Sequence, residues 1–200
     1  PVLLGIAPAP AWSKDETTTA PAEKAQPATD AKPAVPASSV TRHQAIIDGK
    51  TVKYTATVGW FILKDPKDNP IARFGYTAYT LDGVKDLAQR PVTFVFNGGP
   101  GSSSIWLHMG IMGPRRVVVN DGGYAPPPPS QVVDNPFSPL DVTDIVMIDP
   151  VGTGFSKPLG DAKPADFWGV DQDIKSVGQF IKRYVSENVR WGSPKYLMGE

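Results

Sequence analysis

Asn97 to Ser104, reading NGGPGSSS, lie directly between the apolar run VTFVF at residues 92–96 and the stretch IWLHMG that follows. These residues restrict the fold more than any other part of the chain. A short, nearly continuous apolar run ended by glycine reads as a strand buried on both faces, as in a sheet covered by helices. The turn after it must then reverse the chain into a helical segment. Gly98 and Gly99 have no Cβ to hold a ligand away from the backbone, so their peptide N–H groups are open to an anionic oxygen. Two familiar ligand loops fail on spacing. A dinucleotide loop needs G-x-G-x-x-G, of which Gly99 and Gly101 supply only the first half, and a phosphate loop needs a Gly-Lys pair before Ser or Thr. On spacing alone, a tight strand-to-helix turn with no ligand fits equally well.

The text around the turn supplies the rest of such a sheet. Residues 53–63 and 71–80 are rich in Thr, Val and aromatics and flank a turn with Asp68, Asn69 and Pro70, which predicts an antiparallel pair. DIVMI at 144–148 is a second, nearly continuous apolar run. Val170, Ile174, Val177, Ile181 and Tyr184 form one stripe of an amphipathic helix, with Asp171 and Asp173 near its start and Lys182, Arg183 and Arg190 near its end. A further apolar strand begins at Tyr196. Strand, helix, strand predicts a right-handed crossover in a mostly parallel sheet with flanking helices, an α/β fold.

Proline, at 22 of 200 residues, would argue against a packed sheet if it were spread evenly. It is not. Residues 1–12 are a short apolar run followed by small residues, the pattern of a signal-peptide remnant. Residues 13–39 are an Ala/Pro/Thr-rich linker with too little apolar surface to offset an ordering cost of roughly 1–2 kcal/mol per residue, so disorder is expected. The packed domain is then 40–200, and the protein is expected to be exported, to the periplasm or the extracellular space. Balanced charge, 20 basic against 20 acidic residues, gives no electrostatic footprint for nucleic acid. No apolar stretch is long enough to predict a membrane-spanning helix. With no cysteine and only His43 and His108, neither a disulfide, a thiolate nucleophile nor a metal site is expected, and no cofactor is called for.

Taken together, RPVTFVFNGGPGSSSIWLHMGIMGP, NPFSP before DIVMID, PVGTGFS at 150–156 and the helix leading to KYLMGE make the chain from about residue 52 to 200 resemble the serine carboxypeptidase family (peptidase family S10), in its bacterial type. The resemblance implies an α/β-hydrolase fold and a Ser, Asp, His triad in that chain order. In this family the nucleophile follows Gly-Glu, and here Gly199 and Glu200 are the last residues. The chain therefore reads as an incomplete, N-terminal part of the hydrolase, inactive alone. Neither histidine fits the triad, since both precede the elbow. His108 reads as a hydrogen-bonded core histidine and His43 as a solvated one.

By position, the resemblance makes Gly99 the backbone donor to the oxyanion of the tetrahedral intermediate. Asn97, Gly98 and Glu200 match the residues that hold the substrate's terminal carboxylate. Glu200 donates to a carboxylate only while protonated, so acid-favoured action is expected. The implied function is serine-type removal of C-terminal residues from peptides through an acyl-enzyme, with peptides bearing a free C-terminus as partners. An esterase or acyl transferase of the same fold, or a secreted non-catalytic peptide-binding module, are the alternatives. Ser102 stands where many relatives have cysteine and Val95 where many have tryptophan, which bears on side-chain specificity. Arg115 and Arg116 read as an exposed, solvated loop pair or as peptide contacts, and 126–129 as a rigid proline loop.

Overall fold

The computed structural model describes residues 37–99, 101–119 and 127–200. The expected leader at 1–12 and nearly all of the linker at 13–39 lie outside them. Nine strands occur among the described residues: β1 (Ser39–Ile47), β2 (Lys50–Lys64), β3 (Pro70–Leu81), β4 (Val92–Phe96), β5 (Arg115–Val117), β6 (Val132–Asp134), β7 (Asp144–Ile148), β8 (Lys157–Pro158) and β9 (Lys195–Gly199). Two α-helical segments accompany them, the single turn α1 (Ile105–Leu107) and the long α2 (Val170–Glu187). No helix among the described residues is long and apolar enough to cross a membrane.

Seven strands form one sheet in the order β1-β2-β3-β7-β4-β9, with β8 pairing the start of β3; β5 and β6 make a separate hairpin. The expected antiparallel pair is β2 with β3, in register from Tyr54 opposite Leu81 to Leu63 opposite Ala72. The two apolar runs are β4 and β7, adjacent and parallel, with Val92 beside Asp144 and Val95 beside Met147. On its other side β4 runs parallel to β9, from Val92 beside Lys195 to Phe96 beside Gly199. The sheet is thus mixed: parallel pairing is confined to β7-β4-β9, while β1, β2, β3 and β8 pair antiparallel. The expected parallel character is limited to three strands: β1-β2 and β2-β3 are joined by tight turns and must run antiparallel, and β3 also meets β7 antiparallel.

Burial on both faces explains the unbroken apolar runs. Val92 and Phe94 of β4, with Val146 and Ile148 of β7, join the cluster under α2; Val95, Ile145 and Met147 face the opposite cluster with Leu107, Met112 and Leu140. Phe180 is the hub of the first cluster, stacked on Phe74 at 4.8 Å and tilted against Phe61 at 5.3 Å.

The helix face needs correction. Ser176, Phe180, Tyr184 and Val185 are buried, with Val177 and Ile181 packed beside them, but Val170 and Ile174 are 76% and 66% exposed. The stripe is apolar from its first turn, yet α2 meets the sheet only from Ser176 onward. The charge pattern is also only half as expected: Asp171 and Asp173 lie in the first turn, but the last turn carries no basic residue. Arg183 instead pairs with Glu187 at 2.7 Å, and Arg190 lies beyond the helix. There Val189 takes φ 55° and the Arg190 N–H returns to the Val185 carbonyl, turning the Arg190 side chain into the protein.

That turn completes a buried ionic cluster at the amino ends of β4 and β7. Asp144 receives Arg190 Nη1 at 2.5 Å and Arg90 Nε at 3.1 Å, and also accepts the Leu81 N–H at 3.0 Å. The remaining guanidinium donors meet the carbonyls of Leu140, Asp141, Arg90 and Pro91 and the Ser193 hydroxyl.

Candidate functional site

The opposite, carboxyl ends of the parallel strands are where open α/β sheets hold ligands, and the glycine turn leaves β4 there. Continuing the β4–β9 register by one residue sets Glu200 beside Asn97. Continuing the β4–β7 register by two sets Asp149 on its other side. Three polar residues thus stand abreast where three apolar strands end.

Asn97 uses both ends of its amide. Its Nδ2 donates to Glu200 Oε2 at 3.0 Å, and its Oδ1 accepts the Leu107 N–H of α1 at 3.2 Å. Gly98 is required sterically: a Cβ there would run into the backbone carbonyl of Glu200, so the ends of β4 and β9 meet this closely only with glycine. Gly99 takes φ +63° and its carbonyl accepts the Ser102 N–H at 3.0 Å, closing a tight turn. The Gly98 and Gly99 N–H groups have no partner among the described residues. Asn97, Gly98, Gly99 and Glu200 are therefore gathered in one place, with side-chain and backbone donors beside a carboxyl group.

Ser102 occupies the turn. Ser104 anchors it, donating from its hydroxyl to the Ile148 carbonyl and from its N–H to Asp149 Oδ1 at 2.9 Å. Asp149 Oδ2 accepts the Phe155 N–H at 3.0 Å from the turn at 150–156. The sequence reading passed over Asp149, which ends the DIVMID block. Its partners are main-chain N–H groups in two separate loops, and no periodicity or motif spacing marks such an acceptor.

His108 is half-buried and shares a 2.5 Å hydrogen bond with the Tyr79 hydroxyl. Burial lowers its pKa below the ordinary 6.5, opposed by the nearby charge of Asp149, and burial raises that of Tyr79. It is the hydrogen-bonded histidine expected. His43 is exposed, bonded to the Thr41 hydroxyl and stacked on Tyr54. Arg115 and Arg116 lie on β5, not a loop, and Arg115 is engaged by Asp134 at 3.3 Å and the Val132 carbonyl. The proline run is exposed from Pro127; Pro126 lies outside the described residues.

The model of the serine carboxypeptidase family, peptidase S10, matches residues 77–200. Among solved structures, the chain is similar to Kex1(delta)p, a prohormone-processing carboxypeptidase from Saccharomyces cerevisiae, at 24% identity and a TM-score of 0.58. That likeness covers 73% of this chain and 31% of the yeast one, and the shared fold is of α/β-hydrolase type. No curated protein matches in sequence.

Proposed function

Because the chain belongs to the serine carboxypeptidase family, we propose that it supplies the oxyanion-binding turn and the terminal-carboxylate site of an exported serine carboxypeptidase. The chain spans about a third of the yeast carboxypeptidase it resembles, 31% of its length. The proposal is therefore of the complete protein.

The observation that carries it is the pairing of Asn97 with Glu200 at 3.0 Å beside the Gly98 and Gly99 N–H groups, which have no partner among the described residues. A peptide's terminal carboxylate needs donors, and here the Asn97 amide and the Gly98 N–H converge beside the Glu200 carboxyl group. The Gly99 N–H serves a different moment of the reaction. It stabilises the charge that forms on the scissile carbonyl oxygen when a serine attacks, a donor whose loss costs about 3–4 kcal/mol. In the family the attacking serine follows a Gly-Glu pair, to which Gly199 and Glu200 correspond. That serine forms an acyl-enzyme that water then hydrolyses.

Mass spectrometry of a peptide incubated with the complete protein tests this. Stepwise loss of single residues from the C-terminus, stopped by a serine-directed organophosphate, is the expected result. Internal cleavage, or shortening that the organophosphate does not stop, would overturn the reading.

A further inference from the structure

The oxyanion turn closes on the hydrogen bond from the Ser102 N–H to the Gly99 carbonyl and is anchored at two points, Asn97 at the end of β4 and Ser104 at the start of α1. Ser104 is fixed because its N–H reaches Asp149 at 2.9 Å and its hydroxyl the Ile148 carbonyl. Asp149 is itself held firmly. Its carbonyl accepts the Ser156 hydroxyl at 2.5 Å, and that hydroxyl accepts the Gly75 N–H of β3 at 2.8 Å. The second carboxylate oxygen draws in the Phe155 N–H, so one side chain clamps two loops against the end of β7. Gly154 shows how closely they are pressed: at φ +44°, a Cβ there would meet the Asp149 carboxylate and lie 2.9 Å from the Ser103 Cβ.

We propose that Asp149 is a positioning residue for the oxyanion-binding turn, acting through Ser104 and the 150–156 turn to set where the Gly99 N–H points. This rests on the carboxypeptidase reading above. An oxyanion donor works only when it is about 2.7–3.1 Å from where the charge develops. Displacement of about 1 Å costs roughly 100-fold in rate. The terminal carboxylate is held mainly by Asn97 and Glu200, whose side chains hydrogen-bond to each other and not to Asp149, so its effect falls on turnover and not on substrate binding.

The test uses the complete protein, a blocked dipeptide with a free C-terminus, and the variants Asp149→Asn and Asp149→Ala. Asparagine keeps one acceptor but turns an NH2 toward the second N–H, releasing one loop; alanine releases both. The expected result is kcat lowered about 10-fold in Asp149→Asn and about 100-fold in Asp149→Ala, with KM changed less than about 2-fold. Amide hydrogen exchange at Ser104 should quicken in both while β4 and β7 stay protected. Unchanged kcat and Ser104 exchange in an active enzyme would overturn the assignment alone, as would a parallel loss of kcat, KM and strand protection. A wild-type protein that releases no C-terminal residue would overturn the carboxypeptidase reading and this assignment with it.

Discussion

In the proposed carboxylate site, Asn97 is the residue on which binding turns, because its amide holds Glu200 with one end and the first turn of α1 with the other. Replacing it with alanine removes a donor to the substrate carboxylate. A hydrogen bond to a charged group contributes about 1.5–3 kcal/mol, so KM for a peptide with a free C-terminus should rise about 10- to 100-fold. An ester substrate lacking the carboxylate should be bound as before; equal effects on both would sink the assignment. His108 makes a second residue-level prediction. Its folded pKa lies below the ordinary 6.5, so the unfolded chain binds the proton more readily. This contribution to stability is intact above that ordinary value, is lost as pH falls toward the folded pKa, and then levels off. The urea midpoint should drop between about pH 7 and about pH 5 in the wild type, and drop less in His108→Gln. Asn97, Gly98, Gly99 and Glu200 could be picked out from sequence because they sit in recognisable blocks. Asp149 could not, since a carboxylate that accepts N–H groups from distant loops has no local signature.

The strands and helix that carry these residues were legible to different degrees, for physical reasons. β4 and β7 match their runs to the residue, because both are covered on both faces and even their polar members, Thr93 and Asp144, are buried. Phe180 escaped the apolar stripe drawn along α2, yet it is fully buried among Phe61, Phe74 and Tyr76, which lie more than a hundred residues earlier. Periodicity identifies a face but not how much of it is covered, hence Val170 and Ile174 emerge exposed. Phe180→Ala should destabilise the protein by about 3–5 kcal/mol, measured by chemical denaturation. A loss below about 1 kcal/mol would mean that α2 does not pack as described.

At the scale of the whole molecule, the sheet separates structure from chemistry. The amino ends of β4 and β7 are locked by Asp144 between Arg90 and Arg190; the carboxyl ends present Asn97, Asp149 and the glycine turn. Asp144→Ala would leave two guanidinium groups buried without their anion, at a cost of about 3–5 kcal/mol that salt should not restore. Sequence could not reveal this cluster, whose members are brought together only by the β3–β4 connection and the unusual end of α2. The mixed sheet order was hidden likewise, since strand runs show neighbours in sequence and not in space. The proposed recognition of a free peptide C-terminus by these carboxyl ends is decided by comparing hydrolysis of one blocked dipeptide as its free acid and as its C-terminal amide, in wild type and Asn97→Ala. A strong wild-type preference for the acid that largely disappears in the variant is expected; equal use of acid and amide by the wild type would contradict it.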